Sequence, residues 1–292
     1  MKLYAPSTIK QIKDKYDFKL SKSLGQNFLT DKNIIDKIIS DSFIGEEDLV
    51  IEIGPGIGVL TSAAAELAGK VIAIEIDRNL IPILQDTLAE YDNIEVINQD
   101  ILKTDLNQII EQNAIINGKP LRSVRIIGNL PYYITTPIIM KILEEGVKAD
   151  SITIMMQKEV ADRIKAQAGK KAYGALSVAV QYYCTIAAVA NVPKEVFVPQ
   201  PKVDSSVIRL DIRKDKAVEL LDERVFFECV KAGFGQRRKT MLNSLSGVCG
   251  LSKEAISQVM QTIQINSGRR AETMSIEEFA LLANEIYKHQ RG

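Results

Sequence analysis

The stretch Leu49-Val50-Ile51-Glu52-Ile53-Gly54-Pro55-Gly56-Ile57-Gly58-Val59-Leu60 decides how this chain folds. Its first half is a short apolar run of the kind that forms a strand buried on both faces. A glycine-rich loop follows, and Leu60 to Ala68 reads as a helix. Glycines let a backbone turn tightly and approach a ligand without interference from Cβ. The spacing is G-x-G-x-G, not the G-x-G-x-x-G of a dinucleotide site, because position 59 is Val. Pro55 also removes one N–H donor from the loop. The loop therefore suits a neutral or zwitterionic ligand better than a pyrophosphate, which disfavours a nicotinamide oxidoreductase.

Outward from the loop the chain alternates. Val71 to Ile76 is the next strand, Leu80 to Ala89 a helix, and Ile94 to Asn98 a third strand leading to Asp100. Val124 to Gly128 reads as a fourth strand and Ser151 to Met156 as a fifth. Between them Pro137 to Glu145 is a helix, with Pro in its first turn and Thr135 or Thr136 as its cap. Upstream, Asn33 to Ser42 places Ile34, Ile35, Ile38 and Ile39 at helical spacing. Strands alternating with helices imply a parallel sheet covered on both faces. Beyond about residue 158 the rhythm changes. Lys158 to Ala168 and Ala175 to Tyr183 look helical, prolines punctuate Val192 to Asp204, and Ser206 to Ile212 alternates like a strand. After Arg213 every segment reads as helix, over 223–233, 237–246, 252–263 and 275–288. The boundary falls near 213, giving domains 1–213 and 214–292.

With 292 residues, 46% of them hydrophobic and 25% charged, the composition is that of a soluble globular chain. Formal net charge is zero, so attraction to nucleic acid has to come from local patches. Lys2, Lys10, Lys13, Lys15, Lys19 and Lys22 face only Asp14 and Asp17 near the N-terminus, and 231–240 holds Lys231, Arg237, Arg238 and Lys239 without an acid. Such clusters are the footprint of a polyanion binder, although a solvated surface carries similar ones. Cys184, Cys229 and Cys249 match neither a disulfide framework nor a zinc spacing and suit a reducing cytosol. The single histidine, His289, sits near the C-terminus, which argues against His-based acid–base chemistry and a His-ligated metal. No apolar run is long enough to span a membrane and no h-region follows the basic N-terminus, so a cytoplasmic protein is expected.

The chemistry gathers at strand ends. Glu75 ends the second strand, 17 residues after Gly58, where a carboxylate can accept both ribose hydroxyls of an adenosine-containing cofactor. Asp100 follows the third and can take an adenine amino group, with Ile76 and Ile101 against the ring. Asn129-Leu130-Pro131-Tyr132 follows the fourth and offers an amide oxygen, backbone carbonyls and an aromatic face. Ligands of open α/β sheets bind at that edge.

These motifs resemble those of S-adenosylmethionine-dependent adenine-N6 methyltransferases. Lys22-Ser23-Leu24-Gly25-Gln26-Asn27-Phe28-Leu29 is similar to the N-terminal signature of the ribosomal RNA adenine dimethyltransferases. Asn129 to Pro137, Phe197-Val198-Pro199-Gln200-Pro201-Lys202-Val203-Asp204-Ser205 and Phe234-Gly235-Gln236-Arg237-Arg238-Lys239 resemble its small-subunit branch. The likeness runs over nearly the whole chain. It implies a Rossmann-like α/β methyltransferase domain with a mostly parallel seven-stranded sheet, then a small all-helical domain. It implies dimethylation of two adjacent adenosines near the 3′ end of small-subunit ribosomal RNA, within an immature 30S subunit, by a monomer using S-adenosylmethionine and no metal or membrane. Asn27 and Leu29 would close over the cofactor, Gly54 and Gly56 face its methionine part, Glu75 its ribose and Asp100 its adenine. Asn129 would touch both methionine and substrate.

Adenine N6 is a weak nucleophile because its lone pair is delocalised into the ring. Acceptors at the Asn129 side chain and the Leu130 carbonyl would bind its two hydrogens and favour a tetrahedral nitrogen. Pro131 fixes that turn, Tyr132 stacks on one face of the base and Phe197 on the other. Lys22, Lys158, Arg163, Lys165, Lys170, Lys171, Arg237, Arg238 and Lys239 are the expected phosphate contacts. Two alternatives remain: a large-subunit ribosomal RNA methyltransferase of the antibiotic-resistance type, and a non-catalytic assembly factor on the same fold.

Overall fold

The computed structural model describes residues 2–19, 21, 24–236 and 238–291. Seven strands form one sheet: β1 (Asp48–Ile53), β2 (Lys70–Glu75), β3 (Ile94–Asn98), β4 (Ser123–Asn129), β5 (Ser151–Gln157), β6 (Cys184–Val192) and β7 (Ser205–Ile212). Their order across the sheet is β3-β2-β1-β4-β5-β7-β6. β3 to β5 are parallel, with Ile51 of β1 between Ile72 of β2 and Ile126 of β4. β7 runs antiparallel to β5. The chain grows from β1 through β2 to β3 and then crosses to β4 on the other side of β1, so the switch point lies between β1 and β4. A crevice at the carboxyl ends of the strands is expected there.

β1 is buried along its whole length, its apolar Leu49, Val50, Ile51 and Ile53 interrupted by Glu52. Successive side chains leave opposite faces. Val50, Val71, Ile127, Met155 and Val207 belong to one cluster with Ile9 and Ile12 of α1 (Pro6–Lys15) and Ile35, Ile38 and Ile39 of α2 (Lys32–Asp41). Leu60 and Ala64 of α3 (Val59–Ala65) and Ile83 and Leu84 of α4 (Ile81–Thr87) complete it. Ile51, Ile72 and Ile126 point the other way and lie outside it, as do Leu106 of α5 (Leu106–Gln112) and Ile138 of α6 (Thr135–Glu144). Ile38 is 2% exposed; burying such a side chain contributes about 2 kcal/mol. Asp31 starts α2 by accepting the Asn33 and Ile34 N–H groups at 2.8 and 3.2 Å.

The expected α/β fold is present, with two local differences. β6 was not visible in the sequence pattern: its three alanines are weak strand formers, and Cys184, Val189 and Val192 alone are buried. Neither Thr135 nor Thr136 caps α6, which begins at Thr135 itself. The Thr135 hydroxyl and the Ile134 N–H both donate to the Pro131 carbonyl at 3.1 Å, so the turn after Leu130 starts the helix instead.

The chain divides into two compact units, Met1–Ala161 with Thr185–Ile212, and Asp162–Cys184 with Arg213–Gly292. This differs from a single cut after 213, since α7 (Ala175–Tyr183) and the segment before it group with the C-terminal helices. Gln181 donates to the Ile164 and Ala166 carbonyls at 2.9 and 2.8 Å, tying that segment to α7. The Tyr182 ring then packs on Phe226 at 5.3 Å and its hydroxyl donates to Glu223 at 2.7 Å. The second unit is otherwise helical, as expected. The predicted helix over 237–246 narrows to Met241–Leu245, because the Met241 N–H is drawn to the Arg269 carbonyl at 2.7 Å. No helix among the described residues is long and apolar enough to cross a membrane.

Candidate active site

A cleft of about 1100 Å³, open solvent at its mouth included, lies at the carboxyl ends of β1 to β4. Gly54 and Gly56 border it after β1, Glu75 and Ile76 after β2, and Asp100 and Ile101 after β3. Asn129, Leu130, Pro131 and Tyr132 close it after β4, and Asn27 and Leu29 reach it from the N-terminal segment. Each cofactor residue expected from the sequence therefore borders one cleft.

Gly54 has φ +70°, and a Cβ built there meets no atom within 4 Å. It would project into open space, so packing does not require a glycine at this position, although its positive φ favours one. Gly128 is constrained differently: a Cβ there would lie 2.8 Å from the Ile53 carbonyl oxygen. Its absence lets β4 deliver Asn129 close against β1.

Glu75 is 4% exposed, and its carboxylate accepts the Asp77 N–H at 2.8 Å and the Gly56 N–H at 3.4 Å. Burial outweighs these two donors and pushes the carboxyl up to about 7. Glu52 also borders the cleft, wholly buried, and burial raises it to about 8. The nearby Thr61 hydroxyl offsets only part of that, and neither Glu52 Oε2 nor Thr61 Oγ1 has a partner at hydrogen-bond geometry. Sequence reasoning gave Glu52 no role; its place at the head of the glycine-rich motif was the available signal. Asp100 commits Oδ1 to the Leu102 N–H at 3.0 Å, while Oδ2 lies 4.0 Å from Lys103 Nζ. Ile76 is 51% exposed, a large apolar surface that nothing in the protein covers.

The N-terminal segment is strapped over this edge. Gln26 Nε2 donates to Asp77 Oδ2 at 2.8 Å, and Asn129 Nδ2 donates to the Asn27 carbonyl at 2.9 Å. Asn27 in turn donates to the Gly25 carbonyl at 3.0 Å. Phe28 and Leu29 pair antiparallel with Val198 and Phe197. The sequence did not foresee the Gln26–Asp77 bond.

Tyr132 is half-buried, and its hydroxyl lies 2.8 Å from Ser205 Oγ. Burial raises the phenol pKa and the Ser205 bond lowers it. The expected second aromatic face is not presented: Phe197 is 3% exposed, belongs to the core cluster and does not border the cleft. Its pairing with Leu29 commits the ring to packing. Tyr133, 62% exposed at the cleft, was not singled out from the sequence.

Of the expected phosphate contacts, Lys158, Arg163, Lys170, Lys171, Arg238 and Lys239 are exposed, and Lys165 is partly so and bridges to Asp162 at 3.2 Å. Lys22 and Arg237 lie outside the described residues. Among the described residues no three His, Cys, Asp or Glu side chains converge as a metal cage would.

Residues 17–288 match the family model described as ribosomal RNA adenine dimethylase. A ribosomal RNA small subunit methyltransferase A from Clostridioides difficile (strain 630) is 54% identical over 285 residues, 98% of this chain and 97% of its own length. Its counterpart from Alkaliphilus metalliredigens (strain QYMF) is 53% identical over 290 residues, 99% of each. A solved dimethyladenosine transferase from Plasmodium falciparum aligns with a TM-score of 0.76 at 26% identity, covering 90% of this chain and 98% of its own.

Proposed function

The chain belongs to the ribosomal RNA adenine dimethylase family, and from that premise we propose that its cleft transfers methyl groups to the exocyclic N6 of two adjacent adenosines near the 3′ end of small-subunit ribosomal RNA. The observation that carries this is the convergence of Asn129 to Tyr132 with Gly54, Glu75 and Asp100 on one cleft. When bound, S-adenosylmethionine supplies a methyl group on a positively charged sulfur. The residues fit it: Gly54 leaves open space, Glu75 presents a buried acceptor, and Ile76 keeps an apolar face uncovered. Glu75 would hold the ribose hydroxyls, Asp100 the adenine amine and the Gly54 loop the methionine part, with Asn27 and Leu29 closing above. Ile76 and Ile101 would flank the ring.

Asn129 Nδ2 is committed to Asn27, which turns Oδ1 into the free end of the amide. With the Leu130 carbonyl, Oδ1 accepts the two N6 hydrogens, makes the nitrogen tetrahedral and aims its lone pair. The Pro131 carbonyl is already taken by Ile134 and Thr135, so this turn holds its shape. Tyr132 supplies a stacking face for a base drawn out of its helix. Rate enhancement comes from positioning, and the nitrogen loses its proton to solvent after attack. A sulfonium is already a good leaving group, so the chemistry asks for no metal. Lys158, Arg163, Lys170, Lys171, Arg238 and Lys239 would hold phosphates without reading sequence. We take the protein as a cytoplasmic monomer that acts on an immature 30S subunit.

The small-subunit names of the two bacterial relatives favour this reading over the large-subunit alternative. Purified protein and labelled S-adenosylmethionine, incubated with immature small subunits and separately with large-subunit RNA, should place label in dimethyladenosine of the small-subunit RNA alone. Cofactor binding with no methylated adenosine in either RNA would sink the proposal.

A further inference from the structure

The segment 197–205 touches a residue of the site at one point, its last residue. Phe197 is buried in the core, yet the same segment ends at Ser205, whose hydroxyl meets the Tyr132 phenol at 2.8 Å. The topology explains how. β7 runs antiparallel to β5, so its first residue, paired with Gln157, arrives at the sheet edge where β4 ends at Asn129. Tyr132 reaches over the end of β5 to meet it.

We infer that Ser205 is a positioning residue for methyl transfer, fixing through the Tyr132 hydroxyl the ring on which the target adenine stacks. This rests on the function proposed above. The backbone of the turn is already held, since the Pro131 carbonyl accepts bonds from Ile134 and Thr135. What remains free is the side-chain swing at χ1 that decides where the Tyr132 ring lies, and anchoring the phenol oxygen fixes the direction of the ring axis. Ser205 is a firm anchor, being fully buried. Its neighbour Asp204 is held on two sides, with its carbonyl accepting the Lys158 N–H and its Oδ1 the Lys194 N–H, each at 3.1 Å. A hydroxyl buried this completely needs a partner, and the one it has belongs to the active site.

The test compares Ser205→Ala, Tyr132→Phe, the double variant and Ser205→Thr. Tyr132→Phe removes the same bond without disturbing the buried serine, so a folding defect in Ser205→Ala would not block the test. Each single variant should slow single-turnover methylation of small-subunit RNA about tenfold, the equivalent of one hydrogen bond. The double variant should be no slower than either single one, and Ser205→Thr should restore the rate. Affinities for RNA and for S-adenosylhomocysteine should stay within about twofold, because the bond orients the ring without creating either binding surface. Independently of catalysis, Ser205→Ala should raise the pH at which the Tyr132 phenol ionises, followed by NMR of labelled tyrosine. A wild-type rate in Ser205→Ala, multiplicative losses in the double variant, or an unmoved Tyr132 titration overturns the inference. Absence of transfer by the unaltered protein would instead count against the function, and the tyrosine titration would still decide whether Ser205 governs the ring.

Discussion

The side-chain amide of Asn129 donates to the main-chain carbonyl of Asn27 at 2.9 Å, across 102 positions of sequence. One residue therefore holds the N-terminal strap over the cleft and, in the proposed function, would also orient the acceptor for the substrate amine. Asn129→Ala removes both roles. Single-turnover transfer should fall by at least about a hundredfold, the scale of losing one preorganised polar group at a reacting centre. RNA affinity should be largely intact, since no phosphate contact depends on the residue. A comparable loss of RNA binding in a filter or fluorescence assay would assign Asn129 to scaffolding instead.

Two buried carboxyls make the free protein sensitive to pH. Burial raises Glu75 to about 7 and Glu52 to about 8 from an ordinary 4.5, so the folded state holds protons the unfolded chain has released. Their stabilisation is full below about pH 4.5 and is lost as pH rises through about 7 and then about 8. Thermal melts of the cofactor-free protein from pH 5 to 9 should show that loss, and Glu52→Gln should flatten its upper part. In the proposed site the ribose hydroxyls would donate to the ionised form of Glu75, so S-adenosylhomocysteine should bind more tightly as pH rises from 6 to 8. Calorimetry showing the opposite slope would remove Glu75 from the cofactor site.

Gly54→Ala separates folding from binding. The new Cβ meets nothing in the protein, and φ +70° at a non-glycine residue costs about 1 kcal/mol. The fold should survive with a slightly lower melting temperature, while S-adenosylhomocysteine affinity falls at least about tenfold because the methyl occupies the ligand's space. Unchanged affinity in the folded variant would show that the methionine part lies elsewhere.

How far these features could be read in advance depended on the range of the interactions behind them. Gly54, Glu75, Asp100 and Asn129 were legible because each follows a strand whose apolar run marks its end, and parallel pairing brings those ends to one edge. Glu52 was not, since a carboxyl inside a strand looks like a break in the apolar pattern until burial of the whole strand is known. Phe197 failed for a tertiary reason: an aromatic in a proline-rich segment suggests a surface wall, yet pairing with Leu29 turned it into the core. Ser205 reaches Tyr132 only because β7 reverses direction, which periodicity does not encode. The grouping of Asp162–Cys184 with the C-terminal helices likewise follows from Gln181 and Tyr182, not from any change of composition.

The exposed cations make a prediction of a different kind. Lys170, Lys171, Arg238 and Lys239 are exposed cations, and the part proposed for them in RNA binding is through phosphates. Each phosphate contact releases counterion, and log affinity falls with log salt in proportion to the number of such contacts. Replacing Lys171 or Lys239 by Ala should weaken binding to small-subunit RNA and reduce the salt slope by about one per residue. Scrambled RNA of the same length should lose affinity equally, because phosphates carry no sequence information. Single-turnover rate at saturating RNA should remain that of the unaltered protein, since the side chains are remote from the Asn129 turn in function. An unchanged salt slope after both replacements would strike these two positions from the RNA path and move the electrostatic contact to the other basic cluster, at Lys2 to Lys19.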